Sequence, residues 1–239
     1  MVRAIRRGLA WLWKAFSYTL GLLFIALLLY QSWFAAHIWY WAERNPQNTS
    51  FMQARLERLL EKDPKASLKQ HWVSYARISE ALKRAVIVAE DAKFSDHDGF
   101  DWEGIQKAME KNQRKGRVVA GGSTISQQLA KNLFLSGERS LLRKVEEAII
   151  TSMIELLMDK ERILEIYLNV AEWGNGVFGA EAAARHYYNV SAASLSGEQA
   201  ARLAAMLPRP LYYEHNRQSE YLQRHSETIR ARMPAAQLP

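Results

Sequence analysis

Hydrophobic and polar positions split this chain into two unequal parts. Residues 15–42 carry no charge, and residues 20–29 are apolar apart from Gly21. At about 1.5 Å rise per residue, a helix over residues 18–41 crosses a hydrocarbon core of about 30 Å with some tilt. Trp33, Trp39, Tyr40 and Trp41 crowd its exit, where an aromatic belt suits a membrane interface. A polar stretch with Pro46 follows. Residues 51–61 then show amphipathic helical spacing that stops before Pro64, which predicts a short helix on the membrane surface or packed onto the domain. Beyond Ser79 the period is helical almost throughout, in segments 81–90, 102–113, 125–133, 141–158, 163–168, 179–188 and 198–207. Pro208 and Pro210 end the last of these, and residues 221–233 add a terminal helix. Val86-Ile87-Val88 is strand-like in composition, but no period-2 run is long enough for a sheet and no repeat occurs. The expected fold is mainly α. Segment 141–158 is apolar nearly all round, which predicts a helix buried in the middle of the domain.

Composition changes this picture in two ways. The 239 residues contain no cysteine, so disulfides and thiolate metal sites are excluded. The net charge of +7 is unevenly placed: Arg3, Arg6, Arg7 and Lys14 stand in the first 42 residues without an acid, leaving 28 basic against 25 acidic residues beyond. The basic excess is therefore a topology signal rather than a nucleic-acid surface, and it keeps the N-terminus in the cytoplasm. A cleaved signal peptide is favoured only by Ala35-Ala36; the apolar run is too long and too aromatic at its exit. The expected organisation is a basic cytoplasmic segment (1–14), one uncleaved transmembrane helix (15–42), a juxtamembrane linker and helix (43–77) and an extracytoplasmic domain (78–239).

Three stretches carry candidate chemistry. In the first, Gly121-Gly122 runs into Ser123 or Thr124 as a helix cap, and the glycines let backbone N–H groups approach a ligand at a helix N-terminus, a ready anion site. Thr124, Gln127, Gln128 and Lys131 then share one helix face, with Ile125 and Leu129 as anchors off it. In the second, Glu90 follows an apolar segment whose low dielectric raises a carboxyl pKa, making it a candidate general base or acid. Asp91 and His97 follow it; the imidazole has a structural alternative, a bond to Asp91 or to a backbone carbonyl. In the third, Arg143 and Glu147 lie four apart on the apolar helix, where buried charge needs a network or a polar cleft. Glu90 and Glu147 make the pair of acids that glycosyl chemistry uses. Lys131, Arg139, Arg143 and Lys144 add cations that match phosphate oxygens. The segments around Lys160–Asn169 and Gly174–Ala184 read as scaffold, with Glu165 and Asn169 as supporting residues.

Taken together, Glu90-Asp91…Phe94…His97…Gly99, the run Gly121 to Asn132, Arg143-Lys144…Glu147, Lys160…Ile163-Leu164-Glu165…Tyr167-Leu168-Asn169 and Gly176…Gly179 fall in the order of the peptidoglycan glycosyltransferases, glycosyltransferase family 51. The chain resembles the monofunctional biosynthetic members over about residues 78–233. The resemblance implies a lysozyme-like helical domain with a single N-terminal transmembrane helix in the bacterial cytoplasmic (inner) membrane, its catalytic domain periplasmic. The implied substrates are lipid II and the growing glycan strand, and division or elongation proteins are implied partners. Glu90 would deprotonate the acceptor 4-hydroxyl, while Lys131, Arg143 and Lys144 would meet the donor pyrophosphate. Asp91, Phe94, His97, Ser123, Thr124, Gln127, Gln128, Asn132 and Arg139 would line the substrate site, and Glu147 would orient neighbours. No cofactor is required by the residues; metal dependence varies in the family, which leaves Mg²⁺ or Mn²⁺ at Glu147 open. Tyr188 and Asn189 depart from the usual family residues away from the chemistry. Neither Ser-x-x-Lys nor Lys-Thr-Gly occurs, so glycan polymerisation without cross-linking is expected. The competing expectation is a lysozyme-like lytic transglycosylase or muramidase that cleaves glycan.

Overall fold

The computed structural model describes residues 2–117, 121–135 and 140–239. Its first helix, α1 (Val2–Glu43), contains the apolar span Trp11–Glu43 with a mean hydropathy of 1.8. Most of the span is bare of protein contacts. Its C-terminal turns are not: Phe34 and Ile38 are buried against the domain. The aromatic residues expected at the membrane exit divide here. Trp39 and Tyr40 are exposed, whereas Trp41 and Phe34 pack around Phe134, with ring centroids 5.2 and 5.1 Å away. The Arg162 guanidinium donates to the carbonyls of Trp41 and Arg44 at 2.9 and 2.6 Å, placing a cation at the negative end of α1.

Helix α2 (Ser50–Leu60) is capped by Thr49, whose hydroxyl accepts from the Met52 N–H, and it packs on the domain rather than lying apart from it. Strand β1 (Lys69–Gln70) leads to α3 (Glu80–Glu90), capped by Ser79. Helix α4 (Trp102–Lys115) ends at Gly116 in the left-handed region. Next come α5 (Ile125–Phe134), α6 (Leu141–Leu157) and α7 (Lys160–Val170). Strands β2 (Glu172–Gly174) and β3 (Val177–Phe178) precede α8 (Ala180–Tyr188), α9 (Gly197–Met206), α10 (Pro210–His215) and α11 (Glu220–Arg232).

The helical expectation holds, with one small addition. The three short strands form a sheet in the order β1-β3-β2, with β1 parallel and β2 antiparallel to β3. Two or three residues per strand leave no alternation to detect in the sequence. The glycines of this region do structural work: a Cβ on Gly179 would lie 2.7 Å from the Asn169 carbonyl oxygen. Asn169 is itself fully buried, and its amide exchanges two hydrogen bonds of 2.9 Å with the backbone of Val73.

Packing forms two groups of helices. In one, α3 lies against α9 and α11; in the other, α5 lies against α2, α6 and α7. The small side chains of α9, with Ala200, Ala201, Ala204 and Ala205 nearly inaccessible, allow the close approach to α3. The C-terminus of α3 meets the start of α5 where the two groups join.

Helix α6 corrects the expectation of a helix buried all round. Leu141, Leu142, Val145 and Leu156 are 88, 84, 59 and 83% exposed, while Glu147, Ile150, Thr151 and Ile154 face inward. The inward stripe is a normal helical seam; a second set of apolar residues lies on the opposite face. An all-round apolar helix suits either a protein core or a membrane environment, and periodicity alone does not separate the two.

Candidate active site

Glu90 is the last residue of α3, and its position follows from local structure. Leu82, Ala85 and Val86 bury one face of the helix, and Asp91 leaves it with φ −162°. Burial pushes the Glu90 carboxyl above its ordinary pKa, against the opposing effects of the Gln128 amide and the Lys131 charge. The negative end of the α3 dipole acts in the same sense as burial. Glu90 Oε2 accepts from Gln128 Nε2 at 2.6 Å. Its other oxygen, Oε1, is buried without a partner. A desolvated carboxylate with one free oxygen is well suited to take up a proton.

Asp91 and His97 hold this corner together. Asp91 Oδ2 accepts from the Ile125 N–H at 3.0 Å, and Oδ1 is 2.9 Å from His97 Nε2. Because the Gly99 N–H donates to His97 Nδ1 at 3.1 Å, the imidazole proton sits on Nε2 and is donated to Asp91. This is the structural alternative for His97. It also corrects the reading of the α5 N-terminus as an open anion site: the chain's own Asp91 occupies it. Gly122 also packs closely on α4, where a Cβ would come within 3.1 Å of Ile105 Cα.

Thr124 and Gln127 form a reciprocal capping box, with Thr124 N–H to Gln127 Oε1 at 3.0 Å and Gln127 N–H to Thr124 Oγ1 at 3.2 Å. Thr124 also donates to the Gly99 carbonyl at 2.7 Å. Both side chains are buried and satisfied within the chain, and they build the helix start. Phe94 is fully buried under the ammonium of Lys160, 4.6 Å from the ring centroid, and supports the site from beneath. Lys160 in turn pairs with Glu155 at 2.9 Å, and Glu155 accepts from Ser126.

The cationic side of the site comes from α5 and α6. Burial lowers the Lys131 pKa, opposed by Glu147, with Arg143 and Lys144 adding to the lowering and Glu90 opposing it. No carboxylate lies within ion-pair distance of Lys131 among the described residues. Glu147 is buried and is bound by Lys144, not by Arg143, the partner suggested by the four-residue spacing. Arg143 keeps a buried Nε without a partner. Arg139 lies outside the described residues. No three of His, Asp and Glu gather into a metal-holding group among the described residues, and Glu147 has an ammonium, not a second carboxylate, beside it.

Two cavities flank the Gln128–Glu90 bond. A cleft of about 440 Å³ is lined by Gln128, Lys131, Asn132 and Tyr167, and walled by Phe51 and Arg55 of α2 and by Arg209 and Tyr212. A smaller cavity of about 150 Å³ is lined by Glu90, Asp91, Asp101, Ser123 and Thr124. The walls from α2 and from the α9–α10 turn were not legible as site residues. Their sequence signals were only an amphipathic helix and the paired prolines 208 and 210.

The chain matches the family model described as transglycosylase over residues 56–234. The chain belongs to the transglycosylase family. Similar curated members are all named biosynthetic peptidoglycan transglycosylase. One from Dechloromonas aromatica (strain RCB) is 66% identical over 212 residues, covering 89% of this chain and 92% of that protein. One from Methylobacillus flagellatus is 61% identical over 215 residues, covering 90 and 94%. One from Nitrosospira multiformis is 56% identical over 229 residues, covering 96 and 98%. Membership makes the protein an enzyme of glycosyltransferase type with the lysozyme-like helical fold. The match begins within α2, so Phe51 and Arg55, which wall the larger cleft, lie just ahead of the matched region.

Proposed function

We propose that this transglycosylase polymerises peptidoglycan glycan from lipid II, with Glu90 as the general base. The observation that carries the reading is Glu90 Oε1, buried and unpartnered, on a carboxylate that feels the Lys131 charge. The acceptor's 4-hydroxyl gives its proton to Oε1 as its oxygen attacks C1 of the donor muramyl sugar. The new C1–O4 bond forms as the bond from C1 to the pyrophosphate oxygen breaks, so one displacement inverts the anomeric centre. Undecaprenyl pyrophosphate leaves with both electrons of that bond. Lys131, Arg143 and Lys144 meet the charge that builds on it, which is where fixed cations lower a barrier. Buried Glu147 holds Lys144 in place for this task.

The lipid substrate fits the placement of α6. Its exposed Leu141, Leu142 and Val145 belong to the helix that packs on α1, and Tyr30 of α1 bonds Glu146 of α6. With the arginine-rich N-terminus in the cytoplasm, this edge lies in the outer leaflet and presents the cationic residues at headgroup depth. The glycan-cleaving alternative also accommodates a carboxyl of raised pKa, but it leaves the Lys131–Arg143–Lys144 cluster without a task.

Product analysis separates the two readings. Full-length protein in detergent, given labelled lipid II, is expected to yield long lysozyme-sensitive strands and to leave purified cell wall intact. Breakdown of the wall without strand formation would establish the cleavage reading instead.

A further inference from the structure

We propose that Tyr167 is a positioning residue for the proton transfer at Glu90, acting through the amide of Gln128. The inference rests on the reading of Glu90 as the base. Tyr167 is 1% exposed on the inner face of α7, at the wall of the larger cleft, and its hydroxyl is engaged by a neighbouring side chain. Its hydroxyl donates to Gln128 Oε1 at 3.0 Å, and Gln128 Nε2 donates to Glu90 Oε2 at 2.6 Å.

The order of donors and acceptors along this chain fixes the orientation of each group. An amide has one accepting end and one donating end. With the Tyr167 proton on its carbonyl, Gln128 must turn its NH₂ toward Glu90. The reversed amide would set a carbonyl oxygen against an ionised carboxylate. Burial and the charges of Glu90 and Asp91 push the Tyr167 phenol well above its ordinary pKa, so the donor persists across the working pH range. Glu90 is thereby held by one oxygen, and Oε1 is left as the single free acceptor. The hydrogen bond also favours the ionised carboxylate, partly offsetting the effect of burial. α7 thus sets both the direction of the base and the pH at which it is ready.

The experiment measures initial rates against pH for full-length Tyr167→Phe, Gln128→Met and the double variant on lipid II in detergent, with melting curves. Tyr167→Phe is expected to lose about tenfold in kcat, the scale of one hydrogen bond, with KM unchanged. The midpoint of its acid limb moves to higher pH, because the desolvated carboxylate has lost its oriented donor. The double variant is no slower than Gln128→Met alone, since both act along one chain. An unmoved acid limb, additive losses, or a loss uniform at every pH that follows the folded fraction would overturn the inference. If Tyr167→Phe does not fold, the acid limb of Gln128→Met decides: a shift supports the orientation of Glu90 by Gln128, and no shift overturns it. Glu90→Gln in the same assay separates the two levels. Wild-type rates in that variant remove the base itself, whereas an inactive Glu90→Gln beside an unshifted Tyr167→Phe removes only the positioning role.

Discussion

The corner between α3 and α5 and the outer face of α6 are built on opposite plans. At the corner, Asp91, His97, Thr124 and Gln127 are satisfied by one another and by the backbone of Gly99 and Ile125 with bonds of 2.7–3.2 Å, and one Glu90 oxygen is left over. Along α6, Arg143 keeps an unpartnered Nε, Lys144 is half exposed and four large apolar side chains face outward. A closed polar network holds a base at a fixed angle. An open row of cations beside apolar side chains suits a ligand that supplies its own charge and its own hydrocarbon. The difference divides the site: α3 and α5 hold an oriented carboxylate, and α6 presents cations beside exposed apolar side chains.

Substitutions that breach one plan but not the other sharpen this division. The largest effect is expected for Lys131→Met, which removes the part-buried cation between the two regions. Its kcat should fall about 10²–10³-fold, the usual cost of deleting one group that stabilises transition-state charge. A loss confined to KM would assign Lys131 to ground-state binding instead. Asp91→Asn loses a carboxylate that serves both the α5 N-terminus and His97, and should cost about 1.5–3 kcal/mol in chemical denaturation. An unchanged stability would mean that the corner is not held by these bonds.

Glu90→Gln should have the opposite sign in stability. The folded pKa of Glu90 is raised by burial, so its contribution is fully present below the unfolded carboxyl pKa and is lost as pH rises through the folded value. At neutral pH the charged form is the costly one, and the glutamine variant should melt about 2 °C higher or more, a gain that fades on acidification. A variant less stable than wild type at neutral pH would place Glu90 among the groups that hold the fold. The smallest effect is expected for Leu142→Glu, within about 0.5 kcal/mol for the detergent-solubilised protein because the side chain is already exposed. Its rate on lipid II in bilayers should nevertheless fall, and equal rates in detergent and bilayers would take α6 away from the membrane.

How much of this was legible in the sequence depended on range. Local signals read well: the Thr124 cap, the Ile125 and Leu129 anchors, and Glu90 behind an apolar run all stand where periodicity and capping chemistry put them. Long-range pairings did not. The four-residue spacing pointed Glu147 to Arg143, but the three-residue neighbour Lys144 reaches it. The α5 N-terminus looked free because nothing in a sequence shows that Asp91, 34 residues earlier, folds back onto Ile125. Tyr167 read as scaffold because its role depends on a hydroxyl 39 residues from Gln128. The apolar face of α6 carried the right composition for two environments, and composition did not foretell that this face would be exposed beside α1.

The most direct measurement is polymerisation of labelled lipid II by full-length wild type and by Glu90→Gln, with folding of the variant verified by its melting curve. The account predicts long strands from the wild type and a loss of about 10²–10⁴-fold in the variant, the range for removing a general base. Equal rates from two folded proteins would contradict it and take the chemistry away from the α3–α5 corner.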